Sequence, residues 1–160
     1  MSEWQTLLAD ALSGAGRVAI LGCGSPVRGD DQAGLKVAES LAHLTGRARA
    51  FWGSSAPENF TGEIKRFQPD VLLVVDAADM GRPPGTVALI PADEVGGVSF
   101  STHMLPLKII LDYLRRETGC GTHLLGVQPS ALEFGEELSP EVSGAVAEIA
   151  EALESCLSAE

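Results

Sequence analysis

VLLVVDA, residues 71–77, holds five consecutive apolar residues ahead of its one acid. A strand with one face in water alternates apolar and polar side chains. A strand covered on both faces does not, and that is the habit of parallel sheets packed between helices. The neighbouring segments fit this pattern. RVAILG (17–22) is a second short apolar run, and ARAFWG (48–53), TVALIP (86–91) and THLLGV (122–127) read as further strands. Between them lie helical spacings: Leu35, Ala38, Leu41 and Leu44 in a helix from Asp31 to about Leu44, a short helix over 60–67, and Leu107, Ile110, Leu111 and Leu114 after Pro106. Ser139-Pro140 reads as an N-cap followed by proline, opening a last helix whose inner face is Val142, Ala145, Ile149, Ala152, Leu153 and Cys156. Ser2 and Gln5 form a capping box for a first helix over 2–13, with Trp4, Leu7, Leu8 and Leu12 on one face and Gly14 as its stop. The alternation predicts a single α/β domain over residues 1–160, with a mostly parallel twisted sheet between helix layers.

Composition narrows the function. A formal net charge of -11 disfavours nucleic acid as the main partner, because a phosphate backbone would be repelled. No apolar run reaches the roughly 18 residues of a membrane span, so no membrane insertion is expected. MSEWQTLLADALSGAG lacks the basic start and apolar stretch of a signal peptide. Cys23, Cys120 and Cys156 are odd in number and form no CxxC pair, which points to free thiols and a cytoplasmic setting.

In a parallel α/β sheet, ligands bind beyond the carboxyl ends of the strands. The loops to inspect are therefore 22–34, 53–59, 76–81, 91–103 and 128–136. The first contains SPVRGDDQAG, residues 25–34. It is not a dinucleotide fingerprint: the third glycine of GxGxxG falls on Val27, and the second strand ends Trp52-Gly53 rather than in an acid. No nucleotide is expected. Asp30 and Asp31 can cap a helix, yet one acid is enough for that, and the second is free to face a ligand. Asp76 ends the most apolar strand, where an unpaired charge is expensive to bury. Asp79 reads as a solvated turn residue. His103, in STHM (101–104), lies at a loop-to-helix junction after a strand, whereas His43, placed within a helix, and His123 read as structural. Two carboxylates and one imidazole suit a divalent transition metal and leave coordination positions open for a reaction.

These residues fall in blocks that together resemble one family. ILGCGSPVRGDDQAG (20–34), GSSAPEN (53–59), VVDAADMGRPPGT (74–86), STHMLPL (101–107) and LLGVQPSALEFGEELSPEV (124–142) are similar, in this order, to the hydrogenase maturation endopeptidases, most of all the branch serving formate hydrogenlyase-type complexes. The resemblance implies a twisted sheet between helices, with Asp31, Asp76 and His103 as the metal-binding positions. It implies a substrate, the precursor of a NiFe hydrogenase large subunit, that brings nickel with it. Cleavage removes a C-terminal extension, so that the new terminus closes the metal site. Ser25 and Gln32 depart from the family pattern, where asparagine and glycine are common, and alter the loop rather than the ligand set. The helix over 2–13 lies outside the core match and reads as a packing extension.

Two variants of the chemistry stay open. Nickel polarises the scissile carbonyl or activates a water, or Asp31 or Asp76 acts as general base. Cys23 is a poor nucleophile candidate, since no catalytic partner is apparent. Arg28, Ser55 and Glu58 are candidates for substrate contact; Ser55 or Asn59 can equally cap a helix. Arg28 can also neutralise the paired acids, while Gly29 and Asp30 shape the turn. Only neutral imidazole ligates, so nickel engagement weakens as His103 protonates. Two rival classes share the same residues: a nickel-dependent checkpoint protein without hydrolysis, and an iron oxygenase with a two-carboxylate, one-histidine site.

Overall fold

A computed structural model describes residues 1–54, 56–91, 94, 99–100, 107–130 and 137–158. Its strands are β1 (Val18–Cys23), β2 (Ala48–Ser54), β3 (Val71–Asp79), β4 (Val87–Pro91), β5 (Ser99–Phe100) and β6 (Gly121–Val127). Its helices are α1 (Glu3–Leu12), α2 (Ala33–Ser40), α3 (Thr61–Phe67), α4 (Leu107–Thr118) and α5 (Pro140–Ser158), with short 3-10 turns at Gly29–Gln32 and Pro57–Phe60. The sheet order is β2-β1-β3-β6-β4. The first four of these run parallel, and β4 closes one edge antiparallel to β6. The two residues of β5 pair antiparallel with Ala78 and Asp79 at the end of β3.

The central run behaves as its composition demands. Val71 to Ala78 are all buried, and β3 extends two residues past the expected end. Its side chains divide between two cores by the period of 2. Val71, Leu73 and Val75 join Val18 and Ile20 of β1 under α1, α2 and α5. Leu72 and Val74 join Ala19, Leu21 and Cys23 under α3 and α4. Helix layers thus cover both faces.

Three expectations need correction. Leu7 is 44% exposed, because Trp4, Leu8 and Leu12 repeat every four residues and leave Leu7 a hundred degrees off their stripe. Helix α2 begins at Ala33, since Asp31 belongs to the preceding 3-10 turn, and it ends at Ser40. His43 therefore lies in the turn after the helix, exposed and paired with Glu154 of α5. The first helix does pack as an extension of the core: α1 rests on β4 and α5. Among the described residues no helix is long and apolar enough to cross a membrane. Cys23, Cys120 and Cys156 are all free thiols.

Candidate active site

From β1 the chain passes through α2 to β2 on one side, then returns through α3 to β3 on the other side of β1. Connections leaving β1 and β3 thus run to opposite sides, the topology at which such sheets bind ligands beyond their carboxyl ends. Glycines let the next segment settle there. A Cβ on Gly34 would lie 2.1 Å from the Val75 carbonyl oxygen and 2.5 Å from that of Cys23. Gly24 has φ of 140°, and a Cβ there would lie 1.8 Å from the Asp31 carbonyl oxygen. The start of α2 and the 3-10 turn before it are thereby pressed onto the backbones of β1 and β3.

The two adjacent acids of that turn have different work. Asp30 is fully buried and bridges elements far apart in the chain. Its Oδ2 accepts from the Ser130 N–H at 2.7 Å and the Ser139 hydroxyl at 2.8 Å, and its Oδ1 from the Ser139 N–H at 2.7 Å. It is a clasp rather than a helix cap: Arg28 occupies the N-cap position of its own turn, and no side chain caps it. Asp31 is 1% exposed, and its Oδ1 has no hydrogen-bond partner among the described residues. Asp76, on β3 opposite Gly126 of β6, is fully buried as well.

A third carboxylate arrives from β2. Glu58, in the 3-10 turn Pro57–Phe60, is half-buried with its Oε1 wholly enclosed and unpartnered among the described residues. Burial pushes the Cys23 thiol well above its ordinary value, and the nearby charges of Asp76 and Glu58 push it further. Cys23 is thus a neutral, enclosed thiol, which removes it as a nucleophile. The only other buried side-chain atom without a partner among the described residues is the neutral hydroxyl of Thr122, near the amino end of β6.

The expected site is only partly in view. Asp31 and Asp76 are buried at the same sheet edge, Arg28 is half-buried at the head of the 3-10 turn, and Glu58 lies beyond β2. His103 and Ser55 lie outside the described residues. Among the described residues no cluster of three or more His, Cys, Asp or Glu could hold a metal. The carboxylates that are described nonetheless suit one. An enclosed, unsatisfied carboxylate oxygen is costly unless a cation or donor meets it, and Asp31 Oδ1 is such an atom.

Sequence reasoning missed two supports. Gln128, the buried amide just after β6, accepts at Oε1 from the Met80 N–H at 2.6 Å and the Arg82 N–H at 3.3 Å. Its Nε2 donates to Asp79 at 3.3 Å. It fixes the loop that leaves β3, and its signal was a polar side chain directly after a buried strand. Ser139, read only as a cap, also closes the Asp30 clasp. Asp79 is exposed as expected, but it is the last residue of β3 rather than a turn residue; its carboxylate accepts from the Gly81 N–H at 3.2 Å. His123 is part-buried on β6, and burial holds its pKa below the ordinary value.

Comparison with known proteins agrees with this arrangement. Residues 37–156 match the hydrogenase maturation protease family HycI. The hydrogenase 3 maturation protease of Escherichia coli K12 is 34% identical over 137 residues, which cover 84% of this chain and 87% of that protein. The crystal structure of the NiFe hydrogenase maturation protease HycI from Thermococcus kodakarensis superposes with a TM-score of 0.88 at 35% identity, over 95% of this chain and 99% of that one. The E. coli hydrogenase maturating endopeptidase HybD gives 0.73 at 27% identity, over 89% and 92%. A sheet with two buried aspartates at its switch point, carried by a chain alike to these proteins over most of its length, places the protein in a peptidase family: it belongs to the hydrogenase maturation proteases.

Proposed function

We propose that this protein is an endopeptidase that removes the C-terminal extension from the nickel-loaded precursor of a NiFe hydrogenase large subunit. The observation that carries the reading is the enclosed Asp31 carboxylate, one oxygen unsatisfied, at the same sheet edge as buried Asp76. Folding gains nothing from such an oxygen; a cation brought by a substrate does. Asp31, Asp76 and His103 engage the nickel that the precursor carries. Two hard oxygen donors and one imidazole, without a thiolate shell, suit passing contact with a metal held mainly by the substrate. Nickel supplies Lewis acidity at the scissile carbonyl. Arg28, Ser55 and Glu58 meet the peptide around it. The setting is cytoplasmic, as the free thiols favour.

The deciding experiment incubates nickel-loaded and nickel-free precursor with the protein and measures intact mass. Loss of a C-terminal peptide from the nickel-loaded form alone is the expected result. A stable nickel-dependent complex with unchanged precursor mass would instead establish the non-hydrolytic checkpoint role.

A further inference from the structure

Amide hydrolysis needs a group that takes a proton from water and returns it to the leaving nitrogen. Asp31 and Asp76, once engaged with a cation, are poorer proton acceptors than a carboxylate away from it. We propose that Glu58 is the catalytic residue that carries this proton, an assignment that rests on the protease reading above.

The turn that bears Glu58 is built to hold it at the edge of β1. Gly53 makes this possible: a Cβ there would lie 2.9 Å from Leu21 Cδ1, 3.0 Å from the Gly22 carbonyl oxygen and 3.3 Å from the Pro57 Cβ. The turn therefore packs on the end of β2, beside β1. Pro57 is buried, the Asn59 N–H donates to the Ala56 carbonyl at 3.1 Å, and the Thr61 hydroxyl donates to the Glu58 carbonyl at 3.0 Å. On this fixed backbone the Glu58 side chain encloses Oε1 without a partner among the described residues. A structural glutamate would satisfy that oxygen or leave it in water. Its charge and that of Asp76 both bear on the buried Cys23 sulfur at the end of β1. Unlike Asp31 and Asp76, Glu58 retains some exposure, as proton exchange requires.

The step balances without further reagents. The Glu58 carboxylate accepts a proton from water as the water oxygen bonds to the scissile carbonyl carbon, and the carbonyl π pair moves to its oxygen. The C=O then reforms as the C–N bond breaks. The nitrogen keeps that electron pair and takes the proton from Glu58, which returns to carboxylate. One amide and one water become an acid and an amine.

The test compares native protein, Glu58→Gln and Glu58→Asp on nickel-loaded precursor, reading single-turnover cleavage at saturation, complex affinity and thermal midpoint. The expected Glu58→Gln result is cleavage slower by about 100-fold, in line with lost general acid–base catalysis. Affinity should change far less than the rate, and the midpoint should be unchanged or raised, because a frustrated charge is gone. Glu58→Asp should recover part of the rate. Glu58→Gln cleaving within about threefold of native overturns the assignment. So does weaker binding with an intact saturated rate, or a lowered midpoint. A native protein that leaves the precursor whole overturns the protease reading, and this assignment with it.

Discussion

Asp30 and Asp31 are neighbours of the same type, both buried, yet their energetics are opposite. Asp30 satisfies three donors on two other segments. Asp30→Ala strands those donors and should cost about 3 kcal/mol. For a chain of this size that is a midpoint lower by roughly 6–12 °C, read by thermal unfolding. Cys23 makes a second contrast. Its thiol is fully buried and held neutral beside two carboxylates, so Cys23→Ala should retain cleavage. In the folded native protein, thiol reagents should label the half-buried Cys156 before Cys23. Loss of all cleavage in Cys23→Ala would restore the nucleophile reading. The pair at 30–31 was legible in the sequence as a helix-capping or ligand-facing acid; the clasp was not. Its partners lie 100 and 109 residues away, and no local pattern announces a bond of that span.

At the scale of elements, the strands other than the two-residue β5, and their order of occurrence, followed from apolar runs and helical periods, because burial on two faces leaves a plain mark in β3. Boundaries were less legible. The end of the 3-10 turn before α2, Asp31 and Gln32, reads as helix in sequence, since an acid is a usual helix start. What shapes the site is the approach of α2 to the sheet, and that approach depends on a missing side chain. Gly34→Ala should lower stability by about 2 kcal/mol or more and slow cleavage, because its Cβ would meet the Val75 and Cys23 carbonyls. The check is thermal unfolding beside the precursor cleavage rate. Gly144 in α5 has open space where a Cβ would stand and is the control: Gly144→Ala should leave both unchanged or gain slightly.

For the whole molecule, pH adds a constraint from β6. Burial lowers the His123 pKa from 6.5, so the unfolded chain takes up this proton before the folded one. Stability from this group is full above 6.5 and falls as pH drops through the lower folded value. His123→Gln should flatten that part of the acid stability curve, measured as thermal midpoint against pH. The molecule joins a well-satisfied scaffold to a carboxylate edge that is not satisfied by the described residues alone. The sequence marks Asp31, Asp76 and His103 by strand-end position, while the state of Asp31 Oδ1 needed three-dimensional structure.

The most direct test of this account is Asp31→Asn, with cleavage of nickel-loaded precursor and thermal midpoint measured on the same preparation. Cleavage should fall at least about 100-fold, while the midpoint holds or rises, because the variant removes a buried charge that folding leaves unsatisfied. Cleavage persisting near the native rate, or a midpoint that falls as it does for Asp30→Ala, would contradict the claim that Asp31 is kept for the substrate rather than for the fold.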